Sequence, residues 1–217
     1  MNFSIYLKFF LFAVLLVLLS TVGFNRLIDP YALYGDPTIE GVNANKPAFS
    51  SHAYMAKATA VTVAPPTTIF LGSSRGERGM DPLHPALSGD KRYNLSLSGS
   101  SIYEALRYFQ HSHATESLKQ VVLGLGLRQF KHADQVSPSF TEERLSVSAE
   151  GATQNRSWLP ADLAVIASLD SIAASIKTLW KQDETPHLLL HGEYNPQRLI
   201  EDMTNHRADF LSNEKSY

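Results

Sequence analysis

The residues best placed to do chemistry sit in one short stretch, Thr67–Arg75, where the apolar run Ile69-Phe70-Leu71 stops at Gly72 and gives way to Ser73, Ser74 and Arg75. A strand that ends in this way leaves small polar residues at the carboxyl edge of a sheet, where open α/β sheets hold their ligands. A glycine ahead of two serines also allows a tight turn that a side chain would obstruct. Arg75 can clamp an anionic substrate group with its planar fork of donors. Pairing with Glu77 or Asp81 is the equal alternative.

Other arrangements carry less. Gly72–Gly79 is rich in glycine but lacks the Gly-Lys-Ser/Thr of a phosphate loop, which argues against nucleotide binding. His111 and His113 fall on different faces of a helix, so they do not share a metal. His187 and His191 flank an extended run and stand too far apart to share one, at ~6.6 Å per two residues. They read as solvated side chains. Lys131-His132-Ala133-Asp134 follows a strand end and reads as loop surface. No cofactor or metal is expected.

Composition narrows the classes further. The chain has 217 residues, a net charge of −2, no cysteine and 44% hydrophobic residues. Such a length holds one domain with a core besides a membrane segment. Near-neutral charge argues against nucleic acid, which requires a basic footprint. The lack of cysteine removes disulfides, thiolate metal sites and cysteine nucleophiles together.

The elements that must position the Gly72 turn can be read in order. Ile5–Phe24 is almost unbroken in its apolarity, with Lys8 near one end and Arg26 just beyond the other. About 20 apolar residues span a bilayer core as a helix, and the run exceeds the ~7–15 residues of a cleaved signal peptide. Residues 1–24 are therefore expected to be an uncleaved anchor, by default with the N-terminus in the cytoplasm. Residues 25–66, with Asp29-Pro30-Tyr31, Gly35-Asp36-Pro37, Asn45-Lys46-Pro47 and Pro65-Pro66, are expected to form a stalk or collar. A short helix is expected over Ser51–Thr59.

Residues 67–217 then alternate strand and helix. Strands are expected at Ile69–Leu71, Tyr93–Leu97, Val121–Leu125 and Leu188–Leu190, the last of them within His187–His191. Ser101 followed three residues later by Glu104 is a capping box. It opens a helix whose apolar face is Ile102, Ala105, Leu106 and Phe109. Asp162–Trp180 reads as one long helix with Leu163, Ile166, Leu169, Ile172, Ala173, Ile176 and Trp180 on one face. This alternation predicts an α/β fold built on a parallel sheet, with Asp162–Trp180 packed on a face of it.

As an ordered pattern, the anchor, Asp29-Pro30-Tyr31, Asn45-Lys46-Pro47, Leu71–Arg75, Asn94–Ser101 and Val121–Leu125 resemble the SGNH/GDSL hydrolase superfamily. The chain looks most like its membrane-anchored bacterial envelope branch, distantly related to alginate O-acetylation and teichoic acid D-alanine transfer proteins. The resemblance implies a three-layer, flavodoxin-like α/β/α fold. It places Ser74 at the nucleophile position, with Ser73 standing where the family has aspartate. It makes the Gly99 N–H an oxyanion donor beside that of Ser74.

Two blocks of the family pattern depart. The third block should supply an asparagine after the third strand, but here the chain reads Gly126-Leu127-Arg128-Gln129. The last block, Asp-x-x-His near the C-terminus, is missing. Asp81-Pro82-Leu83-His84 has its spacing but follows the first block at once and reads as a loop. The polar end Asn205–Tyr217 favours a chain that stops before a closing strand and helix. The resemblance implies a single-pass protein of the bacterial inner membrane, with its domain on the periplasmic side. It would be a hydrolase or O-acyltransferase for acyl esters of an envelope glycan or lipid, with an envelope polysaccharide or acyl-donor protein as partner. The alternative is a non-catalytic SGNH-like binding or assembly module.

Overall fold

The computed structural model describes residues 3–35, 37–87, 89–131, 136–154, 160–189 and 191–205. Among them a three-stranded parallel sheet forms around β1 (Thr68–Gly72), with β2 (Arg92–Asn94) on one side and β3 (Gln120–Gly124) on the other. Ile69 is in register with Tyr93 and Val121, and Leu71 with Leu123. All five residues of β1 are buried, as a parallel strand covered on both faces requires. Backbone pairing with β1 continues past β2, because Leu95 N and Leu97 N donate to Phe70 O and Gly72 O. The fold is thus mixed α/β with a small parallel sheet.

The helices are α1 (Phe3–Ile28), α2 (Ala53–Val63), α3 (Ser74–Gly79), α4 (Ile102–Thr115), α5 (Leu127–Lys131), α6 (Pro160–Ile166), α7 (Leu169–Trp180) and α8 (Pro196–Asn205). Tyr54, Ala58 and Val61 of α2, Tyr108 of α4, and Leu145 and Val147 of a later loop close over Ile69, Leu71, Leu95 and Leu97. The segment expected to be a stalk therefore supplies a helix to the core. A second cluster joins Tyr31, Leu33, Phe49, Met55 and Ala56 to Ala174 of α7. Tyr31 is packed on His52, with ring centroids 4.0 Å apart.

At 26 residues, α1 is about 39 Å long. It is long and apolar enough to cross a membrane, and residues 3–20 are exposed. Its last turn enters the domain. Asn25 is buried, donates to Ile166 O at 2.7 Å and accepts from Ser175 Oγ at 2.8 Å.

Three expectations about the elements need correction. Leu188 is not a fourth parallel strand. It forms an antiparallel bridge with Tyr194 across a turn at Gly192, whose φ is +80°; Leu190 lies outside the described residues. Asp162–Trp180 is not one helix on the sheet. It breaks at Ser168, whose hydroxyl caps α7 by accepting from Ser171 N, and both halves pack against α1. The buried stripe of α7 is Ser171, Ala174, Ser175 and Thr178, while Leu169 and Trp180 stay exposed. Small side chains at i, i+3, i+4 and i+7 let α1 approach closely. Finally, α4 buries Glu104, Ala105, Arg107, Tyr108 and His111 and leaves Leu106 half-exposed.

Candidate functional site

The carboxyl edge of the sheet is built from three strand ends. β1 stops at Gly72, Ser73 is the extended N-cap, and Ser74 is the first residue of α3. Gly72 packs closely on β3. A Cβ there would lie 3.0 Å from Gly124 O. Ser74 is half-buried, and among the described residues nothing hydrogen-bonds its hydroxyl.

Beyond β2 the chain makes a turn over Leu97–Ser100, with Ser100 N donating to Leu97 O at 3.1 Å. Gly99 occupies its third position at φ +80°, the value a type II turn demands there. Leu97 N and Ser100 Oγ both donate to Gly72 O, each at 2.9 Å. The turn that holds Gly99 is thus fastened to the strand end that precedes Ser74. The capping box of α4 is present: Ser101 N donates to Glu104 Oε2 at 2.7 Å and Glu104 N to Ser101 Oγ at 3.2 Å.

Beneath this edge lies a charged network that the sequence reading missed. Lys57, fully buried, donates to Ser96 O at 2.6 Å and Glu77 Oε1 at 3.2 Å. Glu77 Oε2 accepts from Ser98 Oγ at 2.5 Å. Burial pushes the Lys57 ammonium below its ordinary range, against the attraction of Glu77 and then Glu193. Burial likewise raises the Glu193 carboxyl, whose Oε2 has no partner among the described residues. One signal was legible: Lys57 is the lone charge in the apolar stretch Ala53–Val63.

The third strand end contributes Gln129. It is buried, its Oε1 accepts from Gly126 N at 2.9 Å, and its Nε2 is buried with no acceptor among the described residues. Gln129 lies on α5, five residues after the end of β3.

Arg75 is exposed and makes no ion pair among the described residues. Glu77 is held by Lys57, and Asp81 Oδ1 accepts from Leu83 N at 2.7 Å. His84 makes no hydrogen bond to Ser74 among the described residues. Its carbonyl accepts from Arg92 at the start of β2, and its Nδ1 from Ala86 N. Arg92 is in register with Thr68, about 13 Å along the sheet from Gly72, and its side chain holds the His84 carbonyl.

His187 and His191, which read as solvated, are half-buried, and His111 is buried outright. It lies fully buried between Ala58 O at Nε2 and Ser146 N at Nδ1, which makes it a neutral tautomer with its proton on Nε2. His187 and His191 face Tyr194 Oη and Arg92 O. Residues 132–134 of the Lys131–Asp134 loop lie outside the described residues. No protein-family model, curated protein or solved structure matches this chain.

Proposed function

We propose that this chain is a membrane-tethered, SGNH-like domain of the bacterial envelope that handles an acyl group, as a hydrolase or O-acyltransferase for acyl esters of a glycan or lipid. The observation that carries the reading is the strand–turn–helix at Gly72–Ser74, with the Gly99 turn fastened to the same carbonyl. In this reading Ser74 Oγ attacks the acyl carbon, and the N–H groups of Ser74 and Gly99 receive the negative charge that develops on the carbonyl oxygen. Gln129 Nε2, a buried donor with no acceptor among the described residues, stands one position beyond where a block opening at Gly126 would put the family's asparagine. Arg75, exposed beside the nucleophile, meets an anionic group of the acceptor. The inner-membrane, periplasm-facing topology belongs to the same proposal.

A second reading, a non-catalytic binding or assembly module, is favoured by a specific observation. Among the described residues no histidine or carboxylate reaches Ser74, and Glu77 and His84 are engaged elsewhere. An unactivated serine hydroxyl is a poor nucleophile at neutral pH. The full chain in a neutral detergent should therefore turn over a small acyl ester only slowly. That residual rate should vanish in Ser74→Ala, persist in Ser73→Ala, and fall about 10²–10³-fold where one oxyanion donor is lost. A rate indifferent to Ser74 would leave the binding module as the better description.

A further inference from the structure

The apolar helix and the domain meet without a hinge. α1 runs unbroken from Phe3 to Ile28, and domain side chains hold its last carbonyls. Asn43, buried, gives Nδ2 to Leu27 O at 3.5 Å. Lys46 gives Nζ to Ile28 O at 3.5 Å and to Asp29 O at 2.6 Å, a cation where the helix dipole favours one. Asn25 joins the same turn to α6 and α7. With α1 as the membrane span, the plane of the bilayer is therefore fixed on the domain. About 20 residues cross the hydrocarbon core, so Ile5–Phe24 fills it. Arg26 and Leu27 follow ~3–5 Å further along the axis. They stand in the headgroup layer, which adds ~5–7 Å on each side.

One loop of the domain is fastened at that level. The Arg26 guanidinium lies 4.4 Å from the centre of the Tyr34 ring. Ile39 N donates at 2.6 Å to the Asn43 side chain that holds Leu27 O. The loop of residues 37–43 thus starts just past one contact with α1 and ends on another. Its apolar side chains are Ile39 and Val42, in a run of Pro, Thr, Glu, Gly and Asn. Ile39 is 51% exposed and Leu27 65%. A lone exposed apolar side chain is ordinary on a soluble surface; the height of Ile39 on α1 sets it apart. We infer that this loop rests in the lipid headgroup layer beside α1, with Ile39 reaching the acyl boundary and the bilayer surface as its partner. No basic residue lies within 37–43 and Glu40 is exposed, so the contact is apolar and salt does not release it. The inference rests on the anchor reading of α1 and does not depend on Ser74.

The chain has no cysteine, so one introduced cysteine reports one place. The test reconstitutes the full chain into phosphatidylcholine vesicles as Leu15→Cys, Leu27→Cys, Ile39→Cys and Leu125→Cys, each carrying a nitroxide spin label. All four positions are exposed, so the substitutions leave the core intact. Collision with oxygen, which concentrates in lipid, and with a water-soluble nickel chelate gives the depth of each label. The Leu15 label should meet oxygen alone. The Leu125 label, just past the carboxyl end of β3, should meet nickel freely. Labels at Leu27 and Ile39 should fall between the two, within ~5–10 Å of the headgroup–acyl boundary, and should stay there in high salt. A deep Leu15 label with Ile39 as open to nickel as Leu125 would overturn the inference and leave the anchor standing. An Ile39 label shielded from both reagents would mean a protein contact, a second copy included, and would overturn it equally. A Leu15 label open to nickel would remove the anchor and the inference together.

Discussion

Ser100 Oγ donates to Gly72 O at 2.9 Å, which ties the turn after β2 to the end of β1. Ser100 is buried, so Ser100→Ala removes a hydrogen bond without opening the site to water. The expected cost is about 0.5–1.5 kcal/mol in global stability. Amide exchange at Gly99–Ser101 should accelerate more than exchange in β1 or β3. Equal acceleration throughout would show that the tie does not localise the turn.

Gly99 should tolerate alanine sterically but not conformationally. An added Cβ meets nothing within 4 Å, while φ is +80°. Gly99→Ala is therefore expected to cost about 1–2 kcal/mol through the left-handed backbone alone. Gly72→Ala should cost more, because its Cβ would press on the backbone oxygen of Gly124. Thermal midpoints of the two variants give the comparison; a larger loss at Gly99 would contradict it.

The Lys57–Glu77 pair is expected to matter more when broken than when replaced. Lys57→Met leaves the Glu77 carboxylate at the base of the site with Ser98 alone, at a cost of about 3–5 kcal/mol. The double variant Lys57→Met, Glu77→Met should recover most of that loss. Denaturant midpoints for the single and double variants measure it. Additive losses would mean that the pair is not energetically coupled.

Acidification below neutrality should destabilise the domain through His52 and His187. Burial lowers both from the ordinary 6.5, followed by the Arg144 charge for His52 and the Arg198 charge for His187. A depressed histidine means that the unfolded chain binds the proton first. The associated stability is full above 6.5 and is lost as pH falls through the folded-state values. The drop in thermal midpoint between pH 7.5 and 5 should shrink in His52→Gln, His187→Gln. An unchanged drop would assign it to carboxylates.

Legibility followed the local signals. The Ser101–Glu104 capping box relies on contacts within a few residues and was readable; the end of β1 at Gly72 was readable as the stop of an apolar run, although the glycine there meets Gly124 of β3. Parallel pairing of Ile69–Leu71 with Val121–Leu125 was readable too, but the continuous apolar run of β3, which reads as a strand buried on both faces, is half-exposed because the helical layer stops at β1. Leu188–Leu190 misled because so short an apolar run does not reveal its partner. The turn at Gly192 sends it back onto Tyr194 instead of into the sheet. Arg107 and His111 of α4 were invisible as core because their charge or polarity reads as solvent-facing. They are buried with Glu142, Val147 O, Ala58 O and Ser146 N as long-range partners. Ser171, Ser175 and Thr178 escaped notice for the same reason: the stripe that meets α1 is small and polar, while Leu169 and Trp180 of α7 are exposed and Ile172 and Ile176 half-buried.

The open side of β3 gives the last prediction. Leu123 is in register with Leu71 and lies on the same face, yet Leu71 is 3% exposed and Leu123 51%. The layer of α2 and α4 thus covers β1 and stops short of β3, where Val121 and Leu125 are exposed as well. An apolar, unpaired edge strand is prone to pair with other chains and to bind hydrophobic dyes. Leu123→Lys should reduce both dye fluorescence and concentration-dependent light scattering of the detergent-held chain. It should change stability by no more than about 0.5 kcal/mol, because a half-exposed side chain has little burial to lose. Leu71→Lys, one strand inward on the same face, should unfold the domain. If Leu123→Lys proved as damaging as Leu71→Lys, β3 would be covered in solution and the edge would not be open.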